Sequence, residues 1–74
     1  MLQPMTAKEL EYIADSMSNE DLLIKQCAAA VAVSTTPALR NLCSQMINTH
    51  QQHYDSLLHA ISHHQQIAPT QPQQ

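Results

Sequence analysis

The sequence predicts an all-α fold: a long antiparallel helical hairpin that completes a four-helix bundle by dimerisation. Apolar residues recur at alternating steps of three and four along two long stretches, which is the period of a helix face. A Ser-Thr-Thr-Pro break at residues 34–37 separates the two stretches. The chain has 74 residues, two tyrosines and neither Phe nor Trp, so one copy alone builds only a thin core.

The first helix is predicted over about residues 7–33. Thr6 and Glu9 have the spacing of a capping box, in which each side chain accepts from the other residue's backbone N–H. The stripe that follows is apolar except at Glu20. Its members are Leu10, Ile13, Met17, Glu20, Ile24, Cys27 and Val31.

The second helix is predicted over about residues 37–65, with Thr36 as its N-cap and Pro37 in its first turn. Its stripe consists of Leu39, Cys43, Met46, His50, His53, Leu57, Ala60 and His64, widened by Leu42, Ile47, Tyr54, Leu58 and Ile61. The short connection requires the helices to fold back antiparallel. Facing residues should then have numbers that sum to about 70, which sets Glu20 opposite His50 and Cys27 opposite Cys43.

The hairpin is therefore expected over residues 7–65, after an N-terminal extension at 1–6. Residues 66–74 form a tail rich in Gln and Pro without periodic apolar residues, and we predict that it is disordered. One hypothesis is that this tail recruits another protein.

Composition argues against several function classes. Three permanent cations are too few to neutralise a nucleic-acid backbone, and the absence of Gly disfavours phosphate-binding loops. The most apolar stretch, residues 22–33, is too short to span a membrane. The first residues lack the features of a signal peptide, so we expect a protein kept inside the cell. No serine or cysteine has a base and carboxylate arranged for nucleophilic catalysis, so we expect no enzyme and no catalytic residue.

Glu20, His50 and His53 are the candidate metal ligands. His50 and His53 lie on one helix face, and the register brings Glu20 across to them. Such a nitrogen-rich set suits a transition metal, zinc or iron. A structural Glu–His pair that fixes the register is the commoner outcome at such positions, and solvent exposure is the third alternative.

The other histidines and the cysteines have simpler interpretations. His59 and His63 are four residues apart and could hold a surface metal, but a solvated face is expected. Cys27 and Cys43 are too few and too far apart in sequence for a disulfide framework, so we expect buried free thiols.

Four segments resemble the coat F family of spore-forming bacteria. They are Thr-Ala-Lys-Glu-Leu at 6–10, Asp15, Pro-Ala-Leu-Arg-Asn-Leu at 37–42 and His-Gln-Gln-His-Tyr at 50–54. The resemblance implies a ferritin-like helical fold and a structural or assembly role in the spore coat during sporulation. The partner that it implies is a second copy or another helical coat protein.

Overall fold

The computed structural model describes residues 4–67, which form an all-α hairpin. Helix α1 spans Ala7–Val33 and helix α2 spans Pro37–Ile67, and the two pack against each other. Residues 34–36 connect them, and no strand occurs within the described range. The predicted helical hairpin is thereby confirmed.

The predicted capping box is present at the start of α1. The Thr6 hydroxyl accepts a hydrogen bond from the Glu9 N–H at 3.1 Å, and the Glu9 carboxylate accepts from the Thr6 N–H at 2.8 Å. These bonds satisfy two backbone donors that have no partner inside the helix.

Ser34 organises the turn between the helices. Its N–H donates to the Ala30 carbonyl at 2.9 Å, and its hydroxyl accepts from the Thr36 N–H at 3.2 Å. The Thr36 carbonyl in turn accepts from the Arg40 N–H at 3.0 Å, which opens α2. The chain reverses within three residues without a glycine.

Helix α2 ends at Ile67, later than the predicted end near residue 65. Between the predicted end and Pro69 the sequence contains no proline or glycine, so nothing local stops the helix at residue 65. Residues 1–3 of the predicted extension and residues 68–74 of the predicted tail lie outside the described range.

Hydrogen bonds across the hairpin indicate the register of the helices. Glu20 of α1 binds His50 of α2, and the Met5 N–H, in the segment before α1, donates to Nδ1 of His64 at 2.9 Å. These pairs sum to 70 and 69, as the predicted register requires. The register therefore holds from the middle of the hairpin to its open end.

The seam between the helices follows a heptad repeat, in which positions a and d of each helix face the other helix. Every seam residue is buried or half-buried. The seam consists of Leu10, Ile13, Met17, Glu20, Ile24, Cys27 and Val31 on α1, and Cys43, Ile47, His50, Tyr54, Leu57, Ile61 and His64 on α2. Cys27 and Cys43, each 7% exposed, are the only buried residues within residues 4–67, and neither is completely covered. A single hairpin thus has very little core.

The seam of α2 lies within the widened stripe that the sequence predicts, but to one side of its centre. Ile47, Tyr54 and Ile61 face α1, whereas Met46 and His53 lie beside the seam and are exposed. The apolar stripe of α2 is three columns wide, and one partner helix covers only two of them. The third column, at heptad position g, remains free.

The flanks of the seam differ in character. In a parallel pair, position g of one helix faces position e of the other; reversing one helix brings the g positions of both onto one side. We call the side formed by positions g and c the apolar face. Of the eight large hydrophobic residues that are exposed within residues 4–67, it carries six: Tyr12, Leu23, Val33, Leu39, Leu42 and Met46.

The opposite side, at positions e and b, carries charge. Lys25 donates a hydrogen bond to Asp21 at 2.8 Å. This hydrogen bond and, to a smaller extent, the attraction between the two charges raise the pKa of Lys25 above its ordinary value. Gln51 donates to Asp55 at 3.1 Å on the same side. On the apolar face, Glu9 of the capping box is the one residue with a formal charge.

Neither helix in residues 4–67 contains a stretch long and apolar enough to cross a membrane.

Candidate metal site

Glu20, His50 and His53 meet at the middle of the hairpin, and we refer to them as the triad. The two carboxylate oxygens of Glu20 contact separate rings: Oε1 lies 2.5 Å from Nδ1 of His50, and Oε2 lies 3.1 Å from Nδ1 of His53. One ligand atom from each of the three residues lies within 4.8 Å of the others. The structure brings together all three residues that the sequence singled out.

Helix geometry explains how one carboxylate reaches two rings. His50 and His53 are three residues apart and so lie on neighbouring positions of one face of α2. Their ring centroids are 5.7 Å apart and the rings are nearly perpendicular. Glu20 occupies the seam position of α1 at the same height, so its carboxylate fits between them.

The hydrogen bonds link the triad to metal binding through protons. An ionised carboxylate only accepts, so hydrogen bonds from both rings to an ionised Glu20 require a proton on each Nδ1. A metal that binds through Nδ1 displaces these protons. A metal that binds through Nε2 leaves them in place, and Glu20 then orients the two ligating rings.

Burial divides the triad between the seam and the apolar face. The side chains of Glu20 and His50 are 17% exposed, whereas the side chain of His53 is 55% exposed. A carboxylate in such a seam requires hydrogen bonds to offset the loss of water, and the two imidazoles supply them. His53 opens the triad onto the apolar face.

The donor set of two imidazoles and one carboxylate is typical of protein sites for Zn²⁺ and for non-haem Fe(II). Sites with three protein ligands leave at least one coordination position for another molecule. In ferritin-like bundles a glutamate from each of two helices combines with Glu-x-x-His motifs. Here His50 and His53 form His-x-x-His instead, so this set holds fewer carboxylates.

The triad lies at mid-length. Glu20 is the central residue of α1, which has 27 residues, and His50 and His53 flank the centre of α2. The triad is therefore about 20 Å from each end of α1, at ~1.5 Å per residue.

The remaining histidines lie toward the open end of the hairpin. His59 and His63 are exposed and line a shallow groove of about 370 Å³ together with His64. Sequence reasoning placed His64 in the stripe but missed its contact with the Met5 backbone, because that bond depends on where the N-terminal segment lies. Within residues 4–67 only the triad brings three metal-ligating side chains together.

The two cysteines are buried free thiols, as expected. They lie in the seam on the turn side of the triad. Their burial makes them part of the small core of the hairpin.

The chain matches no protein-family model, no curated protein and no solved structure.

Proposed function

We propose that this chain is a structural assembly protein whose hairpins associate through the apolar face into a four-helix bundle. The observation that carries the proposal is the distribution of exposed hydrophobic residues. Of the eight such residues in residues 4–67, six lie on one side of the hairpin, and Leu22 and Leu58 lie elsewhere. Exposed hydrophobic residues gathered on one side are typical of an interaction site in a protein of this size.

The dimensions of the apolar face suit a dimer. Two helices about 40 Å long that lie side by side, each about 10 Å across, present roughly 800 Å². A stable pairwise interface needs about 800 Å² from each partner.

Charge indicates which side of the hairpin a second copy can approach. Each chain has a formal net charge of −3, so two copies repel at long range. Near the apolar face that repulsion is smallest, since only Glu9 carries a formal charge there and it is engaged at the helix start. Association through this side keeps the charged side in water.

The coat F resemblance favours the spore coat as the place of this assembly. It supports a ferritin-like bundle formed with a second copy or with another helical coat protein, and no catalytic step. The segments at 6–10 and 37–42, which open the two helices, support this assignment.

A matched pair of substitutions tests the proposal. Leu42 lies on the apolar face and Leu22 on the far side of α1, and both are 52% exposed. We expect the full chain to sediment as a dimer, Leu42→Lys to sediment as a monomer, and Leu22→Lys to remain dimeric. Sedimentation velocity, with circular dichroism to check helix content, measures the difference.

Two outcomes overturn the proposal. A wild-type chain that is a folded monomer at all accessible concentrations shows that the apolar face has no self-association role. Equal effects of the two lysine substitutions show that association does not use this face.

The triad favours a second function, transition-metal binding with zinc or iron as the metal. The observation is the meeting of two imidazoles and a carboxylate within 4.8 Å. We expect tag-free protein to retain metal, and the Glu20→Ala, His50→Ala double variant to lose it, while His59→Ala retains it. Equal metal content in the wild type and the double variant contradicts this function.

A further inference from the structure

We infer that the triads of two chains form one transition-metal site across the dimer interface, so that metal binding and self-association are coupled. The inference rests on the proposed self-association. It combines three observations: the heptad positions of the triad, its place at mid-length, and its ligand number.

The heptad positions set the triad at the centre of a four-helix bundle. Glu20 and His50 occupy position d, which adjoins the apolar face, and His53 occupies position g within it. When a second hairpin covers the apolar face, positions d and g of all four helices point toward the common axis. The second chain then covers the side chain of His53, which is 55% exposed in the single hairpin.

The mid-length position brings the two triads to the same height. A dimer of identical chains has two-fold symmetry, and each surface patch meets its own equivalent. Residues at the centre of one hairpin therefore lie at the same height as the equivalent residues of the other hairpin, whichever way the second hairpin runs. Glu20 holds this central position in α1.

Ligand number and charge then favour a cation at the axis. One chain offers three ligands, fewer than the four of a closed zinc site, and a second triad supplies the rest. Dimerisation also moves two Glu20 carboxylates toward each other in an interior that is poor in water. Like charges in such a place are unfavourable, and a divalent cation between them removes the cost.

The experiment measures zinc affinity and dimer affinity on the same tag-free full chain. Zn²⁺ affinity comes from competition with a chromophoric chelator, and the dimer dissociation constant from sedimentation with Zn²⁺ or with EDTA. We expect Zn²⁺ to tighten the dimer at least tenfold. By linkage, we expect Leu42→Lys to weaken zinc binding at least tenfold and Leu22→Lys to leave it unchanged.

A second pair of variants addresses the triad itself. His53→Ala should form a dimer that Zn²⁺ no longer tightens, whereas His59→Ala should respond to Zn²⁺ as the wild type does. If Leu42→Lys loses its helical signal, dilution of the wild type below its dimer dissociation constant replaces it, and zinc affinity should fall with the dimer.

The outcomes separate the two proposals. A dimer whose affinity does not respond to Zn²⁺, or a monomer that binds Zn²⁺ as tightly as the dimer, overturns the shared site and leaves the assembly role intact. A wild-type chain that stays monomeric both with Zn²⁺ and with EDTA overturns both.

Discussion

Glu20 is the residue that most affects both the stability of this hairpin and its candidate metal site. It is a carboxylate in an apolar seam, 17% exposed, and both its oxygens bind histidines. Removing one partner of such a cluster leaves the others without their hydrogen bonds, whereas replacing the partners with apolar residues restores packing. The stability of single and double variants therefore separates structural need from other roles.

We predict that two variants of this cluster differ in stability. Glu20→Ala should lower the free energy of unfolding by about 1–3 kcal/mol, because half-buried His50 loses its acceptor. The Glu20→Leu, His50→Leu double variant should equal or exceed the wild type, because leucines fill the seam without buried polar atoms. Urea unfolding at one fixed protein concentration in EDTA measures both.

The control for this comparison is His59→Ala, which changes an exposed histidine outside the triad. A double variant that is less stable than Glu20→Ala would show that the seam at this height needs its polar groups for the fold itself. A stable double variant that binds no Zn²⁺ would show that the triad is retained for binding.

Among the elements, α1 has the more strongly specified start. Thr6 and Glu9 satisfy each other's backbone N–H groups in a reciprocal pair, and Glu9 also places negative charge in the first turn. Negative charge at a helix N-terminus is favourable because the helix dipole is positive there. The start of α2 instead depends on Pro37 and on the turn held by Ser34.

We predict that Thr6→Ala lowers the free energy of unfolding by about 1 kcal/mol, the usual cost of losing an N-cap side chain. Thr35→Ala is the control, since Thr35 is exposed in the connection outside both helices. Urea unfolding should give a lower free energy of unfolding for Thr6→Ala than for Thr35→Ala, by most of this cost. Equal midpoints would mean that the first turn of α1 contributes nothing to stability.

At the scale of the whole molecule, the apolar face is uneven along its length. Leu39, Leu42 and Met46 lie between the triad and the turn, whereas Ser56 and His63 lie between the triad and the open end. Two hairpins with their turns side by side bury apolar residues against apolar residues. The opposite orientation buries them against polar ones, which costs free energy.

We predict that the turns of the two chains lie at the same end of the bundle. In a Cys27→Ala, Cys43→Ala background, spin labels on Thr35→Cys in the connection should lie roughly 20 Å apart, because both turns are then at one end of a bundle whose helix axes are about 8–10 Å apart. In the opposite orientation the two labels lie roughly 50 Å apart, by ~1.5 Å per residue from mid-length to each turn. Double electron–electron resonance measures the distance between the labels.

The opposite orientation predicts a specific cross-link between the two chains. Residue 42 of one chain then lies at the height of residue 60 of the other, so a mixture of Leu42→Cys and Ala60→Cys chains would give a mixed disulfide. Finding that species, with spin labels on residue 35 roughly 50 Å apart, would reverse the assigned orientation.

The sequence by itself determined the local features of this protein. The Thr6–Glu9 capping box, the break before Pro37 and the sum rule that sets Glu20 against His50 depend on neighbouring residues and on the length of one turn. These constraints are short-range, so helix geometry alone propagates them along the hairpin. That is why the meeting of the three residues of the triad was predictable from one sequence.

Only the tertiary structure decided which part of the wide stripe on α2 faces α1. Sequence periodicity centres that stripe between positions d and g, but α1 packs on positions a and d and leaves Met46 and His53 exposed. Periodicity gives the direction of an apolar stripe but not the number of neighbours that share it, because one helix covers only part of so wide a surface. The uncovered column, position g of α2, is part of the apolar face, and His53 of the triad lies in this column.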